Sequence, residues 1–345
     1  MIDSGLVKLP YFDPKTGLER LIISPTSQAS ARQRAGRGGR IQAGTCYRLF
    51  TEKFFIDEMK PQIPPEILRT NITSFVLTLK ALGVDNILAF DMMDVPSVDS
   101  LSHALESLYA LGAIDDRTEL TDLGLDMSSF PTEPRVSRML LESLSEGCAW
   151  EVLAVASALQ VRDLFRRPRN THGQQQMIDY EAAMADISDP SGDHVTFANL
   201  LAEMDDRDMD EEECRERFIN FVALKRAMEI RRQLSGCLRQ FGQVKAMGLT
   251  GDDGQIRSRA IRRCVTAGFF FNVAKLDNDG CYYTLRKHIL VAPAPTSILA
   301  TSQTSPSEYI IFGETLDGAR GGIELRAVSK IDARWLRQLA PHYWQ

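Results

Sequence analysis

The chain has 345 residues, with 40 Lys+Arg against 46 Asp+Glu and a net charge of -6. Hydrophobic residues make up 44% and charged residues 25%, ordinary globular usage that excludes a disordered tail, a collagen-like chain and a disulfide-rich miniprotein. No apolar run reaches the roughly 18 residues of a membrane span, no secretory signal opens the chain, and the mild acidity by itself argues against a nucleic-acid partner.

In chain order, Ile2 to Pro10 reads as a strand entering a hairpin. Asp13-Pro14-Lys15-Thr16-Gly17 is turn chemistry, because Pro presets φ and Gly accepts φ > 0. Leu18 to Ile23 is the return strand, Ser30 is placed to cap a short Arg-rich helix, and Cys46 to Phe50 reads as another strand. Pro64 and Pro65 sit where a helix can start. Leu68, Ile72, Phe75, Val76, Leu79 and Leu82 recur at helical spacing before Gly83. A second helix carries Leu101, Leu105, Leu108 and Leu111, and Ile114 to Leu120 reads as a small hairpin. Helices followed by a short β wing suggest a winged helix. Residues 124–240 read as mainly helical, with one long helix over Cys214 to Gln240. From about residue 241, β-like runs at Phe269 to Val273, Cys281 to Leu285, Tyr309 to Phe312 and Ile323 to Val328 suggest a small barrel or sandwich.

Charge is uneven along the chain. Residues 1–50 hold eight basic residues against three acidic ones, while residues 203–213 hold eight acids against Arg207; the block 205–213 reads as a surface insertion, with a basic protein partner as the alternative. The six cysteines lack zinc-knuckle spacing and read as reduced, buried structural groups, and the five histidines propose no metal or catalytic constellation.

The most specific string is Gln33-Arg34-Ala35-Gly36-Arg37-Gly38-Gly39-Arg40. Its bland alternative is a basic loop on RNA phosphates. On a helical turn, Arg37 and Arg40 project to one side with Gln33, and planar, always-charged guanidinium groups suit a clamp on phosphate oxygens.

This string resembles motif VI, QRxGRxGR, of the DEAH-box ATP-dependent RNA helicases. The resemblance runs the length of the chain. Ile2-Asp3-Ser4-Gly5 is similar to the stretch after motif V, and Ser24-Pro25 with Ser27-Gln28-Ala29-Ser30-Ala31 to the lead-in of motif VI. Cys46 to Glu52 resembles the closing strand of the second RecA-like domain. Pro65-Glu66-Ile67 and Leu79 to Gly83 resemble the winged helix, and Gly192-Asp193-His194-Val195-Thr196 the GDHLT string of the ratchet domain. Ala267-Gly268-Phe269-Phe270 and Trp335 to Tyr343 resemble the OB fold. Gly38 and the Pro341-His342-Tyr343 ending are similar to the DHX35-type subgroup.

The resemblance implies a multidomain α+β chain. Residues 1–52 are the remnant of a RecA-like α/β domain with its β-hairpin and motif VI, and 53–123 a winged helix. Residues 124–240 are the helical-bundle ratchet (HA2) domain and 241–345 a C-terminal OB-fold β-barrel. It implies ATP hydrolysis coupled to translocation on single-stranded RNA, with Gln33, Arg37 and Arg40 on the triphosphate and Arg37 and Arg40 as arginine fingers. Lys8, Lys15, Arg167, Thr196 and Arg326 are the candidate RNA contacts. ATP and Mg2+ belong to the complete enzyme. Spliceosomal proteins or a G-patch-type activator are the implied protein partners, the nucleus the implied location, and no membrane is involved.

The chain also departs from the family pattern. No GxxxxGK[ST] loop and no DEAH string occurs, so it reads as the C-terminal part of a helicase. Alone it is expected to bind no ATP and to be inactive, with residues 1–52 short of sheet partners. The alternative is a non-enzymatic RNA- or protein-binding module. Glu213 and Val222 replace a common Trp and a common basic residue; Ala294-Pro295-Thr296-Ser297 lacks the usual His, and Ala319-Arg320-Gly321-Gly322 the usual Lys. His194 is expected to pack or cap a ratchet helix, and Phe269 to Phe271 to enter the OB core.

Overall fold

The computed structural model describes residues 1–168, 174–206, 209–245, 253–300, 305–318, 322–341 and 343–344. It divides into two units: residues 1–72 with 89–104, and residues 73–88 with 105–345.

In the first unit, β1 (Ile2–Asp3) ends at Gly5, whose φ of 74° turns the chain into β2 (Leu6–Asp13). β3 (Leu18–Pro25) pairs antiparallel with β2 in unbroken register from Leu6 opposite Pro25 to Asp13 opposite Leu18. The turn holds because the Asp13 carboxylate accepts from Lys15 N–H and Thr16 Oγ1, and Gly17 takes φ 68°. Phe12 and Leu18 are the buried residues of this ribbon; Phe12 packs edge-on against His103, and its N–H donates to Arg69 O. Helix α1 (Gln28–Arg37) follows, then β4 (Tyr47–Arg48) and α2 (Glu52–Asp57). β4 is shorter than the Cys46–Phe50 run suggests and pairs in parallel with β1, its one strand neighbour among the described residues. A 3-10 turn at Glu66–Leu68 stands where Pro64-Pro65 suggests an α-helix.

The second unit begins with α3 (Thr73–Ala81), stopped by Gly83 at φ 83°. Helix α4 (Val98–Ala110) starts in the first unit and ends in this one. An Ile114–Leu120 bridge forms the wing, and α5 (Asp122–Ser128) follows. Gly124 is needed there, since a Cβ would lie 2.0 Å from Ala113 O.

Helices α6 (Pro134–Ser145), α7 (Ala149–Leu159), α8 (Gln174–Ile187) and α9 (Asp193–Asp206) build the bundle. α7 is apolar nearly all round and correspondingly buried, with Val152 through Ala156 inaccessible to solvent. The expected Cys214–Gln240 helix is two helices, α10 (Glu211–Glu216) and α11 (Phe221–Leu238). Phe218 at φ 57° breaks them, and its carbonyl accepts from Arg166 N–H. The acidic stretch is also no simple insertion. Glu203 holds Arg217 in a two-pronged pair at 2.8 and 2.9 Å, and Asp205 holds the buried Arg231, which lies 3.8 Å over the Trp150 ring. Arg207 lies outside the described residues.

Helix α12 (Asp253–Phe269) is absent from the expected elements, and its last residue corrects the β-like reading of Phe269 to Phe271. It packs on α6 and reaches α7. Its Arg257 pairs with the buried Glu151 at 3.4 Å, and a Cβ on Gly268 would lie 2.1 Å from Arg135 O. Phe269 and Phe270 are buried as expected of core residues. The remaining strands, β5 (Val273–Leu276), β6 (Tyr282–Thr284), β7 (Leu290–Pro293), β8 (Tyr309–Asp317) and β9 (Ile323–Lys330), close a barrel in the order β5-β6-β7-β9-β8. Ala274, Val291, Ile310, Phe312, Leu325 and Val328 fill it. α13 (Ala333–Leu339) packs on α12.

The start of α9 binds the barrel. Gly192 has φ 129°, and a Cβ there would lie 2.3 Å from Val328 O. Beside it, Asp193 is buried; its Oδ1 accepts from Ile298 N–H at 2.8 Å and its Oδ2 from Val328 N–H at 2.7 Å. His194 is fully buried, with Nδ1 2.8 Å from Ser329 Oγ and Nε2 without a partner among the described residues. Burial raises the Asp193 carboxyl to about 6 against the pull of those backbone N–H groups, and burial lowers the His194 imidazole to about 3.

Two outcomes follow. Gly192→Ala adds a backbone clash to a left-handed strain, so it should cost about 2–4 kcal/mol in urea unfolding. The pH response is set by opposite signs. His194, depressed when folded, contributes stability that is lost as pH falls from its unfolded value of 6.5 toward 3. Asp193, raised when folded, offsets this between its unfolded value of 3.8 and about 6, where acidification favours the folded form. Asp193→Asn removes the offset, so the variant should lose stability on acidification by about 1 kcal/mol per pH unit more than the parent, read from urea midpoints between roughly pH 6 and 4.

Candidate functional site

The Arg-rich string forms α1 and the turn beyond it. Ser27 caps the helix by accepting Ser30 N–H at 3.1 Å. Gln28 Nε2 donates to Phe55 O at 2.8 Å and Met59 O at 3.1 Å, and buried Ala31 lies on the inner face. The helix ends at Arg37, where Gly36, Gly38 and Gly39 supply no side chains to favour another turn. The chain then doubles back so closely that a Cβ on Gly44 would lie 1.9 Å from Gly38 O. Arg40 therefore stands in the turn. This corrects the expectation that Arg37 and Arg40 share a helical face; Gln33 and Arg37, four apart on α1, do share one.

The arginines divide by contact. Arg34 Nη1 donates to Asp3 Oδ1 at 3.1 Å and to Leu6 O at 2.9 Å, fastening α1 to the start of the ribbon. Asp3 is nearly inaccessible and also accepts Gly5 N–H, so its charge is held in place. Arg32 and Arg48 lie over the Phe55 ring at 5.5 and 4.6 Å. Gln33, Arg37 and Arg40 are exposed, and among the described residues none has a side-chain hydrogen bond or ion pair. Three polar side chains, two on α1 and one in the turn beyond it, thus remain unpaired, two of them cationic and suited to phosphate oxygens.

On the ribbon, Lys8 is exposed on β2 and Lys15 at the turn. Exposed Arg20 lies opposite exposed Tyr11 in the register, a cation and ring that sequence reading did not single out. Alternation in β2 and β3 was the signal that could have paired them.

The second-unit candidates fare differently. Thr196 is fully buried; its hydroxyl donates to Gly192 O at 3.0 Å and accepts Asp189 N–H at 3.0 Å. It shapes the turn before α9, and its side chain is committed within the chain. Arg326 pairs with Glu314 at 2.8 Å and lies 3.9 Å from Asp163, so its guanidinium is engaged within the chain. Arg167 is half-buried and its charge acts on the Tyr180 hydroxyl, opposing the rise that burial causes there. Ser297 is buried against Asp193, so the string that lacks the usual His serves the α9–barrel joint. Arg169, Arg320 and His342 lie outside the described residues. Among the described residues no group of His, Cys, Asp and Glu is placed to hold a metal ion, and no helix is long and apolar enough to cross a membrane.

Three families match in chain order. Residues 104–132 match the winged-helix helicase associated domain (HA2), 133–197 the ratchet-like helicase associated domain (HA2), and 261–343 the oligonucleotide/oligosaccharide-binding (OB)-fold. The whole chain is similar to a "Probable ATP-dependent RNA helicase DHX35" of Homo sapiens, 38% identical across 47% of that protein's length. It is equally similar to the protein of that name from Pongo abelii, 38% identical over 46% of its length. It is 35% identical to the "Pre-mRNA-splicing factor ATP-dependent RNA helicase prp22" of Schizosaccharomyces pombe (strain 972 / ATCC 24843), covering 28% of it. The chain spans about half the length or less of these curated relatives. With a winged helix, a ratchet bundle and a closed five-strand barrel in that order, the chain belongs to the DEAH-box RNA helicases and carries their C-terminal helicase-associated region.

Proposed function

We propose that this chain is the helicase-associated portion of an RNA-dependent ATPase that moves along single-stranded RNA and remodels RNA or RNA–protein complexes. The observation that carries the reading is the division within α1. Arg34 is tied to Asp3 and Arg32 lies over Phe55, while Gln33 and Arg37 on the helix and Arg40 in the turn beyond it are exposed and unpartnered among the described residues. In this reading those three side chains meet the triphosphate, and Arg37 and Arg40 neutralise charge spread over the transferring phosphoryl group. ATP and Mg2+ bind in the complete protein, whose remaining parts supply the phosphate loop.

The RNA surface of the first unit is the β2–β3 ribbon, with Lys8, Lys15 and Arg20 on phosphates and Tyr11 against a base. The likeness to a protein named a pre-mRNA-splicing factor supports a role in splicing, and hence in the nucleus, with spliceosomal proteins or a G-patch-type activator as partners.

Two experiments test this reading. In the complete protein, Arg37→Ala should lower RNA-stimulated ATP turnover by about 10³-fold or more while leaving RNA affinity within a few fold. Near-normal turnover would refute the finger assignment. For RNA, Lys8→Gln in the 345-residue chain should weaken single-stranded RNA binding uniformly across sequences and reduce the salt slope by about 1. An unchanged slope in fluorescence anisotropy removes Lys8 from the interface.

A further inference from the structure

Six cysteines are scattered along the sequence, and two of them meet in the fold. Cys148 Sγ and Cys264 Sγ lie 3.6 Å apart although 116 residues separate them. Cys148 is the N-cap of α7, and Cys264 sits midway along α12, one turn before Gly268 closes on α6. Both are inaccessible, and neither is bonded to another cysteine. Two small apolar residues would fill the same space, so packing alone does not require two thiols in contact.

We infer that Cys148 and Cys264 are an oxidisable pair, closing to a disulfide that ties the start of α7 to α12 when the chain meets a peroxide. A disulfide needs a sulfur separation near 2.05 Å. The two sulfurs, 3.6 Å apart, must approach by about 1.5 Å to bond.

The order of events follows from the surroundings. Cys148 follows Gly147, which is exposed and has φ 70°, in the turn between α6 and α7. Oxidation requires that turn to open and bring the buried Cys148 to solvent, while Cys264 stays inside helix α12. The exposed Cys148 thiolate attacks peroxide, taking one oxygen to become a sulfenic acid and releasing hydroxide. When the turn recloses, the Cys264 sulfur attacks the sulfenic sulfur, and the hydroxyl leaves as water with the thiol proton. Overall two thiols lose two electrons and two protons, and one peroxide becomes two waters.

Burial, together with the neighbouring thiol and with Glu146 and Glu142, pushes the Cys264 thiol well above its usual range. Cys264 is therefore the resolving partner and the pair stays reduced until the turn opens. The cross-link spans the bundle helix that leads into the barrel, so it restrains the part of the second unit that α6, α7 and α12 share.

The test treats the purified chain with hydrogen peroxide, blocks remaining thiols with a maleimide in denaturant, and maps peptides by mass. The expected product links the peptides of Cys148 and Cys264 and has lost both thiol hydrogens, with dithiothreitol restoring two labelled thiols. Cys264→Ser should lose the link and instead accumulate a dimedone adduct at Cys148. Recovery of both cysteines fully maleimide-labelled, while exposed Cys281 is oxidised, would overturn the inference and leave the pair as packing groups. A cross-link from Cys148 to any other cysteine would overturn it equally.

Discussion

A single buried carboxylate organises the second unit. Asp193 sits at the first position of α9, but both of its oxygens are turned away from that helix and toward two backbone N–H groups, of Ile298 and Val328. A buried charge without such donors would be prohibitive. With them, the carboxylate supplies the acceptor that Val328 needs on β9 and joins bundle to barrel. The geometry leaves Gly192 no freedom, because the preceding Cα must pass against the Val328–Ser329 backbone. It also fixes the neighbours: Lys330 N–H donates to Ser191 O, His194 lies against Ser329, and Thr196 closes the turn.

Charge elsewhere follows the same logic of burial with satisfaction. Arg231 is 2% exposed, yet it has Asp205, the carbonyls of Leu201 and Trp150, and the Trp150 ring as partners. Arg257 meets the buried Glu151 from helix α7 and Asn199 from α9. Removing one member of such a pair leaves the other buried and uncompensated, which is strongly destabilising. This explains why a net charge of -6 says little about partners: Glu203 and Asp205 of the acidic stretch are spent on Arg217 and the buried Arg231.

Much of this architecture is legible in the sequence, and the misses have physical causes. The apolar period of α3, α4 and α7, the wing and the barrel strands β6, β8 and β9 are visible, whereas β5 lies later than the Phe269 to Val273 run and β7 is absent from the expected strands. α12 is not, because Arg257, Arg262 and Arg263 lend it a polar, surface-like texture, whereas in the fold they reach Glu151, the Lys330 carbonyl and Glu146. The α10–α11 break is invisible because Phe218 adopts a left-handed backbone with no Gly or Pro to announce it. Thr196 shows the limit of reading a string as a site. In Gly-Asp-His-Val-Thr the sequence reads His194 as a packing residue and Thr196 as a ligand contact, and the fold buries Asp193, His194 and Thr196 alike.

The same distinction sharpens the Arg-rich string. Four arginines in nine positions look equivalent, and spacing alone groups Arg37 with Arg40 on one helical face. The backbone places them otherwise, one in the last helical turn and one beyond the glycines. Arg34 directs its guanidinium to Asp3 and the Leu6 carbonyl, and it cannot turn to a phosphate without stranding a buried carboxylate. Arg32 is drawn over Phe55. What remains unpaired is set by subtraction, Gln33 and Arg37 on the helix and Arg40 in the turn beyond it, and Arg34 is what ties that helix to Asp3 and Leu6.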